Sequence, residues 1–225
     1  MADILLIHGA WQGAWVWDAL AADLRARGHR VTVPDFVGGA LGDHGLQAAE
    51  ALAQLAPGVT AVGHSYGGCV LSQLLALDGA GHIAAAIYLD ALLPRGGEAL
   101  ADFVPGDVGD TWRALQAQGA PVPVRPRGDW AQLWGLRGAD AARAATLLRP
   151  MDPGAFLTPV AGDPDVHSAH RAYLRCAGNP NALFDRMAAR AAADNRFACA
   201  TVQGPHTVMV THPEVCVAAL AAQIA

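Results

Sequence analysis

The chain has 225 residues, of which 53% are hydrophobic and 16% are charged. This composition excludes a disordered chain, and the length suits a single domain with one well-filled core. The formal net charge of -5 comes without a basic run, and no stretch is long and apolar enough to span a bilayer, so we predict neither nucleic acid nor a membrane as a partner.

Short apolar runs alternate with helical patterns along the chain. The runs predict six strands, at 4–7, 30–34, 59–63, 83–89, 171–176 and 197–203. Apolar residues at helical spacing predict helices within 14–28, 46–55, 68–77, 182–193 and 213–225. This alternation predicts an α/β fold with a mostly parallel sheet of about six strands, covered by helices on both faces.

The region 100–160 breaks this alternation, because it is rich in Pro, Gly, Arg and Trp and has weak periodicity. We therefore predict one domain over 1–225, with a cap inserted at roughly 100–160. The cap contains five aromatic residues: Phe103, Trp112, Trp130, Trp134 and Phe156. We expect most of them to pack in the core or the cap, and a subset to line an apolar pocket that suits an aromatic or polycyclic ligand. Arg125, Arg127 and Arg137 could bind a carboxylate, although surface arginines are usually solvated.

The segment Gly63-His64-Ser65-Tyr66-Gly67 fits the pattern G-x-S-x-G, with a strand before it and a helix after it. In a nucleophile elbow the serine occupies a strained turn, and glycines flank it because side chains there would collide with the neighbouring strand and helix. A glycine-rich phosphate loop fits less well, since G-x-G-x-x-G and G-K-[ST] are both missing. The segment therefore predicts Ser65 as a nucleophile.

A nucleophilic serine needs amide donors and a base. The backbone N–H of Tyr66 opens a helix, and the loop after the first strand offers the N–H of Ala10, so both amides are candidates for an oxyanion hole. His206 follows the last predicted strand and a Gly-Pro turn, which is where a histidine base is expected. His212 is the rival, but it directly precedes a helix.

Four segments carry a family resemblance: "HGAWQGAWVWDAL", "GHSYGG", "AAIYLDALLP" and "GPHTVMVTHPEVCVAAL". With these the chain resembles the α/β-hydrolase superfamily, and within it the branch of hydroxynitrile lyases, plant methyl-ester esterases and short bacterial relatives. The resemblance implies the α/β-hydrolase fold, Ser65 as nucleophile, His206 as base, and the amides of Ala10 and Tyr66 as the oxyanion hole.

In these relatives an aspartate completes a catalytic triad with the serine and the histidine, but this aspartate does not carry over to the present sequence. The position that holds an aspartate in them, shortly after the penultimate strand, is Asn179 here, and Asp185 lies too late in the next helix. Three accounts stay open: Asp90, at the end of the preceding strand, orients His206; Asn179 orients it as a neutral partner; or the site has lost efficient ester hydrolysis.

Three functions follow from these alternatives. The first is a hydrolase that cleaves an ester, lactone or thioester of a small hydrophobic molecule through Ser65 and His206. The second is lyase, cyclase or elimination chemistry on a polyketide-like compound of secondary metabolism, and the third is a non-catalytic ligand binder. All three need a hydrophobic small molecule and no cofactor or metal, and a homodimer is left open.

The N-terminus and the cysteines point to the cytoplasm. The run 4–7 follows Met1 without a basic region, so we interpret it as a core strand and not as a signal peptide. The four scattered cysteines predict buried free thiols in a reducing compartment: Cys69, Cys176, Cys199 and Cys216. His167 and His170 form an H-x-x-H pair that is a weak metal signal.

Overall fold

The computed structural model describes residues 1–165 and 169–223, apart from the side chain of Arg127. Its centre is a six-stranded parallel sheet in the order β2-β1-β3-β4-β5-β6. The strands are β1 (Asp3–Ile7), β2 (Arg30–Thr32), β3 (Val59–His64), β4 (Ile83–Leu89), β5 (His170–Cys176) and β6 (Phe197–Val202). The predicted fold class and strand number are confirmed.

The helices lie along both faces of the sheet and over its carboxyl edge. They are α1 (Asp18–Ala26), α2 (Leu41–Leu52), α3 (Gly67–Leu77), α4 (Gly106–Ala117), α5 (Arg127–Trp134), α6 (Gly138–Leu147), α7 (Gly154–Leu157), α8 (Ala182–Ala192), α9 (Val208–Thr211) and α10 (Pro213–Ala221). Apolar residues of α2, α3 and α8 pack on one face of the sheet, and those of α1, α9 and α10 pack on the other.

The central strands are apolar throughout because both of their faces are buried. In β1, Leu5 and Ile7 point into the core under α2 and α3, whereas Ile4 and Leu6 point into the core under α1 and α10. Successive side chains of a strand alternate between faces, so a strand between two helical layers needs an apolar residue at every position. This is why continuous apolar runs were a reliable strand signal.

Helix α2 begins five residues earlier than the predicted segment 46–55, at Leu41, and ends at Leu52. Its start is stabilised by Asp43, whose Oδ2 accepts a hydrogen bond from the Ala40 N–H at 2.8 Å. Gly42 and Gly45 weaken the helical propensity of this first part, which hid the start from sequence reasoning. The predicted strand 30–34 is also shorter, since β2 is an edge strand that ends at Thr32.

The chain between β4 and β5 contains α4, α5, α6 and α7, in the region that the weak periodicity predicts to be a cap and where it assigns no individual helices. Part of it packs on the main core through Trp112 and Phe156. Another part forms a small separate cluster around Trp130, Leu136 and Ala144. The single domain over 1–225 and the cap limits of 100–160 stay predictions.

One cysteine differs from its prediction. Cys69, Cys176 and Cys216 are free and buried, but the free thiol of Cys199 is exposed. Cys199 lies in the middle of β6, the edge strand, where the neighbouring side chains are exposed as well. The apolar sequence around Cys199 therefore did not indicate burial.

The structure was searched for membrane-spanning helices and for metal-binding clusters of side chains. Within residues 1–165 and 169–223 no helix combines the length and apolar character needed to traverse a bilayer. The same residues contain no group of three or more His, Cys, Asp or Glu arranged to hold a metal ion. His167 of the H-x-x-H pair lies outside the described residues.

Candidate active site

The predicted site residues meet at the carboxyl edge of the sheet. Ser65 follows β3, Asp90 follows β4, Asn179 follows β5 and His206 follows β6. Ala10 lies in the loop after β1. The carboxyl ends of parallel strands share one edge of a sheet, so residues far apart in the chain come together there.

Ser65 has the backbone of a nucleophile elbow. Its φ angle is 55°, in the left-handed region that L-residues rarely adopt. A Cβ at Gly63 would lie 2.5 Å from the carbonyl oxygen of Gly67, and one at Gly67 would lie 2.5 Å from the carbonyl oxygen of Ile7. Only glycine fits at either position, as the sequence pattern predicted.

Ser65, His206 and Asp90 are joined by two hydrogen bonds. The Oγ of Ser65 lies 3.0 Å from Nε2 of His206, and Nδ1 of His206 lies 2.7 Å from Oδ2 of Asp90. His206 and Asp90 are buried, Asp90 completely. The acceptor that faces Nδ1 of His206 is therefore a carboxylate, from the residue that follows β4 and not from the segment after β5.

The Asp90 carboxylate accepts hydrogen bonds on both oxygens. Oδ1 accepts from Arg175 Nη1 at 2.8 Å and from the Cys176 N–H at 3.1 Å. Burial raises the pKa of Asp90, but the hydrogen bond and charge of His206, the amide of Asn179 and the charge of Arg175 together hold that pKa below its ordinary value. Asp90 is therefore an ionised acceptor for the imidazole at neutral pH.

Asn179 supports Asp90 instead of replacing it. Its Oδ1 accepts the Asn181 N–H at 3.1 Å, which fixes the amide with Nδ2 toward Asp90 Oδ2, at 2.6 Å. Nδ2 of Asn179 also lies 3.1 Å from Nδ1 of His206, and both atoms carry hydrogen when the imidazole donates to Asp90. With its oxygen turned away, Asn179 cannot accept the Nδ1 proton.

The excluded candidate Asp185 lies on the outer side of this network. Its Oδ1 accepts two hydrogen bonds from Arg175, at 2.9 and 2.7 Å, and its side chain is largely exposed. Arg175 also donates to the carbonyl oxygen of Asn179 at 2.7 Å. The guanidinium thus connects the inner carboxylate, the outer carboxylate and the loop after β5.

The loop after β1 approaches the elbow closely. A Cβ at Gly9 would lie 2.9 Å from Oε1 of Gln12 and 3.0 Å from Cβ of Ser65, so a side chain there would displace its neighbours. The Gly9 N–H donates to Oε1 of Gln12 at 3.1 Å, which holds the loop in place. Ala10 and Tyr66 both line the cavity in front of Ser65, and among the described residues their backbone N–H groups have no acceptor.

Two neutral histidines lie behind the site. Nε2 of His64 lies 2.9 Å from the carbonyl oxygen of His206 and bonds the two loops together. Burial, followed by the charge of His206, lowers the pKa of His64 well below its usual value. His8 uses both ring nitrogens, toward the Gly9 carbonyl at 2.9 Å and the Phe36 N–H at 3.2 Å, and burial lowers its pKa to about 4.

A cavity of about 470 Å³ opens in front of Ser65 and His206. All five aromatic residues predicted for the cap line it: Phe103, Trp112, Trp130, Trp134 and Phe156. Of the tryptophans near the first loop, Trp11 lines the cavity, whereas Trp17 is a buried core residue. The cavity is thus mainly aromatic and aliphatic, with its few polar groups gathered around the serine and at the mouth.

Comparison with known proteins agrees with this geometry. The sequence model of the Alpha/beta hydrolase family matches residues 4–219, almost the whole chain. The chain belongs to this family.

Curated relatives of this alpha/beta hydrolase include bacterial enzymes. The chain is 35% identical to a carbendazim hydrolyzing esterase of Nocardioides sp., over 47% of this chain and 48% of that protein. It is 36% identical to a pyrethroid hydrolase of Sphingobium wenxiniae, over 48% of this chain and 42% of that protein. The similarity thus spans less than half the length of these curated relatives.

Solved structures extend the comparison over nearly the full length of the chain. An extracellular alpha/beta-hydrolase from a Paenibacillus species has a TM-score of 0.81 at 20% identity, covering 99% of both chains. Polyneuridine aldehyde esterase has a TM-score of 0.76 at 19% identity, covering 99% of this chain and 98% of the other. At such identities the likeness shows the shared fold.

Sequence reasoning missed one polar residue of the candidate site. Arg175 contacts Asp90 directly, although it was counted only as part of a predicted strand. The available signal was a lone arginine near the end of the otherwise apolar segment "AYLRC". A charged residue at the buried end of a central strand requires a partner of opposite charge, and Asp90 at the end of the neighbouring strand was a candidate.

Proposed function

We propose that this protein is an esterase-type serine hydrolase that acts on an ester, lactone or thioester of a small hydrophobic molecule. The observation that carries the proposal is the pair of hydrogen bonds from Ser65 to His206 and from His206 to Asp90, at the wall of the apolar cavity. A hydroxyl, an imidazole and a carboxylate in this order form the constellation that activates a serine for acyl transfer.

In the acylation step, Oγ of Ser65 attacks the carbonyl carbon of the bound ester while Nε2 of His206 removes the hydroxyl proton. The carbonyl oxygen becomes an oxyanion, for which the N–H groups of Ala10 and Tyr66 are the donors. When the tetrahedral intermediate collapses, His206 gives its proton to the departing alkoxide, and the acyl group stays on Ser65. Each oxyanion donor contributes about 100- to 1000-fold to kcat in comparable sites.

In the deacylation step, His206 removes a proton from a water molecule that attacks the acyl carbon. The second tetrahedral intermediate collapses, His206 returns the proton to Oγ of Ser65, and the carboxylic acid leaves. Through both steps Asp90 keeps Nδ1 of His206 protonated and stabilises the transient imidazolium by its negative charge. Asn179 and Arg175 hold Asp90 in place.

The position of Asp90 favours hydrolysis over the two alternative functions. Lyase or cyclase chemistry, and binding without catalysis, were considered because Asn179 stands where relatives have the acid. A carboxylate 2.7 Å from the imidazole gives His206 the ionised partner that serine acylation needs, and this supports the hydrolase proposal. The names of the curated relatives, an esterase and a pyrethroid hydrolase, agree with ester cleavage as the reaction.

A fluorophosphonate probe combined with an ester assay tests the proposal. We expect the probe to label the wild type at Ser65, and Ser65→Ala to abolish both labelling and turnover. His206→Ala should lower kcat by about 10⁴-fold or more, because the serine loses its base. The exposed His212→Ala is the matched control and should keep both activities.

Two outcomes would contradict esterase chemistry. Turnover that survives in Ser65→Ala but not in His206→Ala would indicate acid–base chemistry without an acyl-enzyme. Failure of the wild type to react with the probe or with any ester of a panel would indicate a binding protein.

A further inference from the structure

The mouth of the cavity carries two arginines. Arg125 and Arg186 both line the cavity, and both are exposed to solvent, which locates them where the cavity opens. Arg125 belongs to the segment before α5, and Arg186 belongs to α8. Two elements that are remote in the chain thus bring positive charge to one opening.

These arginines are not neutralised within the described part of the chain. Arg125 has no hydrogen-bond or ion-pair partner among residues 1–165 and 169–223, and Arg186 donates only to a neutral group there, the carbonyl oxygen of Phe103. Asp185, next to Arg186 in sequence, does not line the cavity. Its carboxylate is hydrogen-bonded to Arg175, a guanidinium that it shares with Asp90. Among the described residues that line the cavity, none is an aspartate or a glutamate.

The positive charge at the cavity mouth is opposite in sign to the net charge of the protein. The chain has a formal net charge of -5, and most of its described arginines are bonded to carboxylates: Arg27, Arg30, Arg113, Arg143, Arg149, Arg171, Arg175, Arg190 and Arg196. An uncompensated pair of guanidinium groups at the mouth of an apolar cavity is complementary to an anion on an otherwise apolar ligand.

We infer that the substrate is amphiphilic, with an apolar body that fills the cavity and a carboxylate, separate from the scissile bond, that is bound at the mouth by Arg125 and Arg186. This rests on the proposed esterase function and names its substrate class. The exposed position of both arginines suits the role, because a carboxylate bound there stays partly hydrated and loses little solvation. Guanidinium groups also match the planar geometry of a carboxylate.

Matched pairs of synthetic esters test this inference. Each pair consists of the para-nitrophenyl half-ester of an aliphatic dicarboxylic acid and the corresponding para-nitrophenyl methyl diester. The remote end is a carboxylate in the half-ester and its uncharged methyl ester in the diester. A series from pimelate through suberate to sebacate varies the distance between the scissile bond and the carboxylate. The measured quantity is the ratio of kcat/KM for the half-ester to that for the diester.

We expect the wild type to prefer the half-ester at one or more chain lengths. The ratio should fall about 3- to 10-fold in Arg125→Gln and in Arg186→Gln, a modest effect because exposed charge pairs contribute little each. Arg125→Lys should keep part of the preference, and raising the salt concentration should weaken it in the wild type. Arg137→Gln, an exposed cap arginine that does not line the cavity, is the matched control and should keep the wild-type ratio.

The inference is overturned if the wild type prefers the diester at every chain length. It is also overturned if the Arg125→Gln, Arg186→Gln double variant keeps the wild-type ratio. Hydrolysis of the diesters and fluorophosphonate labelling of Ser65 report on the esterase proposal separately, since neither needs the remote charge.

A binding measurement keeps the inference testable if no ester is cleaved. Tryptophans 11, 112, 130 and 134 line the cavity, so their fluorescence can follow binding of monomethyl and dimethyl sebacate to the protein. Tighter binding of the monoanion that disappears in the double arginine variant supports the carboxylate site. Equal binding of the two esters overturns it.

Discussion

At the scale of single residues, backbone strain concentrates where the chemistry is proposed. Among the described residues, three that are not glycine have a positive φ: Trp11, Ser65 and Asp90. Ser65 and Asp90 directly follow strands, and Trp11 lies in the loop after β1, all at the carboxyl edge of the sheet. The backbone strain of each such conformation is on the order of 1–3 kcal/mol. Such conformations persist when the surrounding packing enforces them, here to direct Ser65 and Asp90 toward His206.

The exchange of two neighbouring side chains tests the assignment of the acid. We expect Asp90→Asn to lower kcat for ester hydrolysis by about 10³- to 10⁴-fold, because the imidazole loses its ionised partner. The double variant Asp90→Asn, Asn179→Asp should recover at least tenfold of this loss, since a carboxylate at position 179 lies where Nδ2 of Asn179 now lies, 3.1 Å from Nδ1 of His206.

The double exchange leaves the net charge of the site unchanged, so it separates position from charge. Equal kcat values for Asp90→Asn and the wild type would show that Asp90 has no part in the reaction. Circular dichroism and thermal melting of each variant control for misfolding, because Arg175 would lose its buried counter-charge in Asp90→Asn.

At the scale of elements, the turn from β3 to α3 determines where Ser65, the proposed nucleophile, lies. Gly67 packs against the end of β1, and Gly63 packs against the first turn of α3, so the helix approaches the sheet more closely than a side chain would allow. The amide of Tyr66 points from the start of this helix, where partial positive charge favours an anion. The strained turn at Ser65 and the position of the Tyr66 amide, the proposed oxyanion donor, thus both depend on this close contact.

Alanine substitutions at two glycines test that contact. We expect Gly67→Ala to lower the free energy of unfolding by about 1–3 kcal/mol and to reduce esterase activity, because the new methyl group would meet the Ile7 carbonyl oxygen. Gly42→Ala, in α2 with nothing within 4 Å of the added carbon, should instead stabilise the fold by about 0.5–1 kcal/mol. Urea denaturation measures both, and an unchanged midpoint in Gly67→Ala would refute the close-packing argument.

At the scale of the whole molecule, two buried histidines behind the candidate site lower the free energy of unfolding at low pH. His8 and His64 are buried and neutral, and their pKa values are lowered, that of His8 from 6.5 to about 4. Below pH 6.5 these groups bind protons in the unfolded chain but not yet in the folded one. The free energy of unfolding therefore has its full value, with respect to these two histidines, above about pH 6.5. It decreases as the pH falls from there through their lowered pKa values.

The free energy of unfolding as a function of pH tests this coupling. Between pH 6.5 and about 4 we expect His8 to contribute a slope of up to ~1.4 kcal/mol per pH unit, and His64 to add to the slope in the same direction. His8→Gln keeps an acceptor for the Phe36 N–H but does not titrate, so its slope should be smaller than that of the wild type. The exposed His212→Gln is the control; identical slopes for His8→Gln and the wild type would contradict a neutral buried His8.

The sequence by itself determined the parts of this protein that depend on near neighbours in the chain. Continuous apolar runs predicted a six-stranded sheet because both faces of the central strands are buried. The glycines around Ser65 predicted the elbow because their spacing is a local pattern, although the clash that Gly67 avoids is with Ile7 of the neighbouring strand β1. His206 was predicted for a similar reason, as it directly follows a strand and a Gly-Pro turn.

Only the tertiary structure decided which group meets the far nitrogen of His206. The register of β4 against β5 pairs Leu89 with Leu174, and this sets Asp90 beside Arg175 and Asn179, residues more than eighty positions away. The same long-range packing brought Arg125 and Arg186 to one cavity mouth. Distances of this kind depend on how strands and cap helices pack, and a linear sequence carries no local signal for them.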